Sequence, residues 1–542
     1  MSAISKLQMM GIRQLLMLGS IVWFCLPHIA FGGFDDIAKA RFATETIIAK
    51  TEVVAGGEFQ LPNGKPLPGK IPPFCRVVAT LKPTPDSNIE IELWMPTENW
   101  NGKILATGNG GAAGAIQYRV LAAGVRRGYA TVNTDMGTAP NGENLTDHPE
   151  RWADFGFRAT HEMTLAAKAL VRAYYDQPVR HTYFVGASTG GQQALMAAQR
   201  YPDDYDGIVA GAPANNRTHL HAMFVWNWQA AHKTPDSFLT REKIALVTKA
   251  VLAAGAGKDG GAPTDNFLTD PRRCRFDPVV LLPPPRETEG ADYLTQAQVA
   301  ALKSIYSGPA NPRTGEQIYS PPPHGSESLL LLGNKNTDEP PAFSFIFRWI
   351  LGVDFDFRAF DFDKDLGHAD QRLAPLLNAN DPDLSNFQRR GGKLLMYAGT
   401  ADAITPFQDA IDYYERVVAT HGGLAKAQTF FRFFVVPGLG HVGGGPGLND
   451  FGQSLETRLP QDSEHDILLA LERWVEQGDA PERLVATAYN GGDPGKGIRF
   501  MRPIFPYPKF PEYIGDDPHL PGSFRAVEHE RGGTSTIKRT SK

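Results

Sequence analysis

The chain has 542 residues, of which 42% are hydrophobic and 21% charged, with a formal net charge of −5. That length can bury a large core and house more than one domain. The near balance of charge excludes both the basic footprint of a nucleic-acid binder and a block of like charge suited to a polyanionic partner.

Residues 1–32 combine Lys6 and Arg13 with an apolar run from Leu15 to Phe24, then place small residues, Ala30 and Gly32, before a cleavage point. This is the layout of a signal peptide, and the run is short for a membrane span. The expectation is a secreted or periplasmic protein with no membrane attachment after cleavage. Cys25 would leave with the signal, so only Cys75 and Cys274 remain of three cysteines, too few for a disulfide framework.

Thr51–Phe59 and Ile89–Trp94 are short mixed runs that read as strands of an antiparallel edge. Lys103–Thr107 is an apolar strand that runs into Gly108-Asn-Gly-Gly111, a loop with bare backbone N–H groups that can supply half of an oxyanion hole. Tyr129–Thr134 is the next strand, and residues 156–172 carry apolar residues at helical spacing. Asp135 and His161 fall here and read as loop-ordering or capping residues rather than catalytic ones.

From His181 the β-formers stop abruptly at Gly186-Ala-Ser188-Thr-Gly190, and helix formers continue to Gln199. Strand, sharp turn and helix make a nucleophile elbow, whose glycines keep Cβ atoms clear while the serine stands at a helix N-terminus. Ser188 is the candidate nucleophile. Strands alternating with helices predict a parallel α/β sheet, which Tyr205–Pro213 continues.

The character then changes. Residues 215–386 are rich in Pro, Asn, Asp and aromatics, with helical patches at Leu239–Ala253 and Thr295–Tyr306, and read as a lid domain inserted between core parts at 33–214 and 387–524. Its rings, Phe343, Phe345, Phe347, Trp349, Phe355, Phe357, Phe360 and Phe362, either pack the lid or face an aryl substrate. Lys393–Ala398 and Phe430–Val436 resume the sheet. Asp402 follows the first and His441, in a glycine-rich loop, follows the second. That completes the Ser, Asp, His order of an α/β-hydrolase fold. The polar stretch 525–542 reads as a disordered tail.

These residues resemble the tannase and feruloyl esterase family, which includes mono(2-hydroxyethyl) terephthalate hydrolases. The similarity is carried by Trp100-Asn-Gly-Lys, Gly108-Asn-Gly-Gly, Thr134-Asp-Met-Gly, Gly186-Ala-Ser-Thr-Gly-Gly, Asp270-Pro-Arg-Arg-Cys, Pro437-Gly-Leu-Gly-His and Trp474-Val-Glu. The resemblance implies a serine hydrolase of aryl carboxylic esters with Ser188, Asp402 and His441 as its triad. The oxyanion donors would be the N–H groups of Thr189 and of Gly110 or Gly111, with no organic cofactor required and a small-molecule aryl ester as substrate.

Two departures stand out. The cysteines that the family places before the nucleophile and after the histidine are Ala187 and Val442 here, so the bridge tying the triad loops is absent, and another expected half-cystine, opposite Cys274, is Gly255. A small apolar contact between Ala187 and Val442 is expected in place of the bridge. The family's calcium loop reads Ala256-Gly-Lys-Asp259-Gly-Gly-Ala-Pro-Thr-Asp265, which leaves Asp259 and Asp265 as the remaining acids for a structural calcium. Two rival functions remain open at this point: a secreted ligand-binding protein that has lost catalysis, and a lidded serine esterase for aliphatic esters.

Overall fold

Strand formation follows the buried apolar runs. In the computed structural model, β1 (Glu45–Val54), β2 (Phe74–Lys82), β3 (Ile89–Pro96), β4 (Lys103–Thr107), β5 (Ala130–Thr134), β6 (His181–Ala187), β7 (Gly207–Gly211), β8 (Lys393–Gly399) and β9 (Phe431–Val436) join in one sheet. Their order is β1-β2-β3-β5-β4-β6-β7-β8-β9. The structure describes residues 33–529 apart from 141, 143, 286–289, 337–338 and 457–461. The expected signal peptide, 1–32, lies outside the described residues.

β1, β2, β3 and β5 pair antiparallel, and every pairing from β5 through β9 is parallel. The antiparallel edge expected from the N-terminal runs is present, with β2 as a further strand between β1 and β3. β5, β7 and β9 are buried at every position, as a sheet covered on both faces requires. Alternation then sorts their side chains. Ile104, Phe184, Ile208, Leu394 and Phe433 enter one core, while Leu105, Tyr183, Val209, Leu395 and Phe434 enter the other. Each fully buried aliphatic or aromatic side chain contributes about 1.5–3 kcal/mol, so these cores hold the strand ends rigidly. Helices Ala159–Tyr175 and Thr189–Arg200 cover the first face, and Ile467–Gln477 covers the second.

Residues 212–392 connect β7 to β8, and the stretch expected as an insert, 215–386, lies within them. Its helix Arg217–Ala231 packs into the main core through Leu220, Met223, Phe224 and Val225. Helices Arg241–Gly255 and Gln296–Ser307 build a separate small core around Val247, Val251, Val299, Leu302 and Ile305. Both begin where a threonine caps them: Thr240 accepts from Lys243 N, and Thr295 accepts from Gln298 N.

Most of the insert's aromatic rings are structural. Phe345, Phe347, Trp349, Phe357, Phe360 and Phe362 are buried in the main core, leaving Phe343 and Phe355 only partly so.

Beyond the sheet lie two ribbons, β10 (Leu484–Tyr489) with β11 (Ile498–Ile504), and β12 (Lys509–Tyr513) with β13 (Phe524–Glu528). The expected disordered tail from 525 is therefore corrected at its start, because Arg525–Glu528 pair with β12 and His529 meets Asp270 Oδ2 at 3.0 Å. A ribbon pairs through its backbone, so polar composition does not prevent it. Residues 530–542 lie outside the described residues.

Cys75 and Cys274 are buried free thiols. Gly255 packs against Cys274, where an added Cβ would stand 2.7 Å from Sγ.

Candidate active site

β6 and helix Thr189–Arg200 meet at Ser188, which takes φ 61° and ψ −117°. A non-glycine residue there stores about 1–3 kcal/mol and persists only where its surroundings fix it. Ser188 N donates to Gly211 O at 2.9 Å, and Ser188 O accepts from Ala214 N and Gln192 N, both at 3.1 Å. The glycines explain the rest. A Cβ on Gly186 would lie 2.5 Å from Gly190 O, and one on Gly108 would lie 2.5 Å from Gly190 Cα. The turn and the β4 loop therefore touch backbone to backbone.

Asp402 and His441 reach this point from the loops after β8 and β9. His441 Nε2 lies 2.9 Å from Ser188 Oγ, and Nδ1 lies 2.8 Å from Asp402 Oδ2. A carboxylate can only accept, so Nδ1 carries the proton and Nε2 is free to take one from the serine. Asp402 is fully buried, and its charge is met by four donors: Ile404 N at 2.8 Å, Thr405 N at 3.1 Å, Thr405 Oγ1 at 2.7 Å and the imidazole. The side chain of His441 is 17% exposed, so the array opens to solvent on the serine side. A cleft of about 1280 Å³ between helix Arg241–Gly255 and residues 327–335 touches none of the three.

The histidine loop is fixed by hydrogen bonds. Gly438 N donates to Thr400 Oγ1 at 2.7 Å, Ala401 N to Leu439 O at 3.0 Å, and Gly443 N to His441 O at 2.7 Å. Val442 has φ +55° and is 36% exposed. Val442 is thus exposed rather than part of a core, and the hydrogen bonds of the loop backbone and Thr400 do the holding.

Beside the elbow, Asn109 is pinned from every side. Its N–H donates to Gln193 Oε1 at 2.9 Å, its carbonyl accepts from Gly190 N at 2.8 Å, and its side-chain amide donates to Thr134 O at 2.7 Å. Among the described residues no protein acceptor takes the N–H of Gly110 or Gly111. A Cβ on Gly110 would meet nothing within 4 Å, and one on Gly111 would lie 3.8 Å from the Phe343 ring. Thr189, at the first position of the elbow helix, ties to this loop through its hydroxyl, which donates to Gly111 O at 2.8 Å. This hydroxyl joins the elbow to the loop that carries Gly110 and Gly111.

Asp135 and His161 stay outside. Asp135 Oδ1 accepts from Gly137 N and Glu90 N, and burial pushes its carboxyl up to about 6. His161 Nδ1 meets Asp204 at 2.8 Å and stacks on Tyr201. Sequence reasoning missed Thr405 and Gln193, which orient the acid and the loop. Asp402-Ala-Ile-Thr405 is the one of these with a local signal, an acid followed by a threonine at capping distance.

The calcium ligands do not fit a cation. Both oxygens of Asp265 are taken by the Arg502 guanidinium, at 2.7 and 2.6 Å, and Oδ2 also accepts from Ala262 N at 2.8 Å. The Asp259 oxygens accept from Gly261 N and Asp270 N, and burial pushes this carboxyl up to about 6. Among the described residues no group of three or more acidic, His or Cys side chains converges for a metal. A bidentate guanidinium occupies the place where a cation would need those oxygens. Chelator treatment is accordingly expected to leave the melting temperature unchanged. A drop restored by added calcium would show that the loop rearranges around a metal.

The model of a family described as tannase and feruloyl esterase matches residues 75–524. An uncharacterized esterase of Xanthomonas campestris pv. campestris is 37% identical over 94% of this chain and 93% of its own length. A protein named probable feruloyl esterase B-2, from Neosartorya fischeri, is 31% identical over 82% of this chain and 84% of its own. Among solved structures, feruloyl esterase B from Aspergillus oryzae superposes with TM-score 0.83 at 27% identity, covering 90% of this chain and 98% of that one. Tannin acyl hydrolase from Aspergillus niger superposes with TM-score 0.73 at 20% identity, over 92% of this chain and 95% of that one, a likeness of fold.

Proposed function

The chain belongs to the tannase and feruloyl esterase family and acts on carboxylic esters, and from that premise we propose a serine esterase that cleaves aryl carboxylic esters through an acyl-enzyme. The observation that carries this reading is the unbroken hydrogen-bond chain from Ser188 through His441 to Asp402, at 2.9 and 2.8 Å.

In this reading His441 Nε2 takes the serine proton as Oγ attacks the ester carbonyl, and Asp402 stabilises the imidazolium while fixing its orientation. The negative charge on the carbonyl oxygen is received by the N–H groups of Thr189 and of Gly110 or Gly111. Such donors contribute about 3–4 kcal/mol each in the transition state. The imidazolium then protonates the leaving alcohol, and water activated by the same imidazole releases the acid.

An aromatic acid, of feruloyl, galloyl or terephthaloyl type, is favoured by Phe343, an insert ring only partly buried beside Gly111. Phe343 stands against Gly111, and its ring lies 5.4 Å from that of Phe224. Both belong to the insert, which would then act as the lid that selects the acid. No helix among the described residues is long and apolar enough to cross a membrane. With the leader at 1–32, export to the periplasm or medium is part of the proposal.

A panel of methyl ferulate, methyl gallate, mono(2-hydroxyethyl) terephthalate and p-nitrophenyl butyrate tests the reading. We expect at least one aryl acid ester to exceed the butyrate in kcat/KM, with an acyl adduct on the Ser188 peptide in quenched samples. Faster butyrate turnover would move the assignment to aliphatic esters. A folded protein inert to all four and unlabelled by a fluorophosphonate would be a ligand-binding protein on this fold.

A further inference from the structure

Helix Arg217–Ala231 opens the insert, and its first residue is driven under the elbow. Arg217 is 2% exposed. Its Nη2 donates to Thr189 Oγ1 at 3.1 Å, and its guanidinium carbon lies 5.3 Å from the centre of the Phe155 ring. Among the described residues no carboxylate forms an ion pair with it, and its Nε is buried without a hydrogen-bond partner. Burial pulls the guanidinium down to about 10, so it stays charged at neutral pH. Such a cation costs stability that a ring face and one hydroxyl do not fully return.

What the charge touches gives it a use. Thr189 Oγ1 has one proton, and it goes to Gly111 O at 2.8 Å, so the same oxygen accepts from Arg217. The chain guanidinium, hydroxyl, carbonyl therefore has a fixed direction. It couples the two halves of the oxyanion site, the elbow at Thr189 and the loop at Gly110 and Gly111. At its tip the loop has little side-chain packing, because Gly110 is exposed with open space beside it and Gly111 is only partly buried.

We propose that Arg217 is a positioning residue for ester hydrolysis, which orients the Thr189 hydroxyl to hold the Gly111 carbonyl and places a positive charge behind the oxyanion. This rests on Ser188 being the nucleophile. The residue gives up fold stability in exchange for an ordered, electropositive oxyanion site, a trade that functional sites commonly show.

The test compares Arg217→Met, Arg217→Lys, Thr189→Val, Thr189→Ser and the double variant Arg217→Met with Thr189→Val, on the best ester of the panel. Arg217→Met and Thr189→Val should each lower kcat roughly 10- to 100-fold while KM stays within about twofold. Thr189→Ser should recover about tenfold over Thr189→Val by restoring the hydroxyl, and Arg217→Lys should fall between wild type and Arg217→Met. The double variant should be no slower than about the slower single one, because both changes break one chain. Arg217→Met should melt no lower than wild type, the opposite of what a purely structural arginine would give.

Wild-type kcat in Thr189→Val, losses that multiply in the double variant, or a loss confined to KM would each overturn the proposal. If Arg217→Met does not fold, the valine and serine pair at 189 decides alone. Retained activity in Ser188→Ala would instead remove the nucleophile on which the idea stands, so the two failures are told apart.

Discussion

Ser188→Ala and His441→Ala are each expected to lower kcat on an aryl ester by about 10⁴-fold or more, with circular dichroism and melting temperature close to wild type. The expectation follows from shared work. Removing Oγ removes the nucleophile, and removing the imidazole leaves an alcohol that holds its proton at neutral pH. Combining the two changes should cost little beyond either, since they belong to one proton-transfer unit. Asp402→Asn should differ in kind. Asp402 Oδ1 accepts from two backbone N–H groups, and Oδ2 accepts from Thr405 and His441. An amide offers one accepting oxygen and one donating nitrogen, so one pair of donors would face another donor. This variant should lose activity and also melt lower. A Ser188→Ala protein keeping more than roughly a tenth of the wild-type rate would place the nucleophile elsewhere.

The elbow and the triad were legible because their signals are local. Gly186-Ala-Ser-Thr-Gly190 marks a change from strand to helix within a few residues, and both Asp402 and His441 announce themselves as the first ionisable groups after apolar strands. Helix starts were legible for the same reason, since Thr240 and Thr295 cap the helices that follow them. Features made by distant partners were not legible. Asp265 looked like a surviving calcium ligand until Arg502 closed on both its oxygens. Arg217 had no signal at all, because an arginine opening a helix reads as a solvated charge until the fold buries it. The aromatic run was ambiguous by composition. Only tertiary packing separates Phe343, beside Gly111, from Phe345 and Trp349, which fill the core. The C-terminal ribbons escaped because paired strands need only backbone, and β13 is short and mostly exposed, with no long apolar run to mark it.

Gly108→Ala and Gly186→Ala are expected to damage both fold and catalysis. At Gly108 the new Cβ would stand 2.5 Å from Gly190 Cα and 2.9 Å from Gly186 Cα, and at Gly186 it would stand 2.5 Å from Gly190 O. The atoms it meets most closely are backbone, so no rotamer change relieves the clash: the Gly108 methyl must push the β4 loop from the elbow, and the Gly186 methyl must open the elbow itself. Overpacking a rigid core costs about 1–3 kcal/mol even where side chains can shift, and here about 3 kcal/mol or more is expected. The separation would also break the Gly190 N to Asn109 O hydrogen bond, 2.8 Å long, that sets the loop against the serine. The N–H groups of Gly110 and Gly111 would then miss the oxyanion, so any folded fraction should show kcat reduced by about 100-fold. Gly110→Ala is the stability control, because its Cβ would enter open space, and it should melt with the wild type. Thermal unfolding and single-turnover rates of the three variants decide the matter. A Gly108→Ala protein with wild-type melting and wild-type rate would mean that loop and elbow do not touch, and the oxyanion site drawn between them would have to be abandoned.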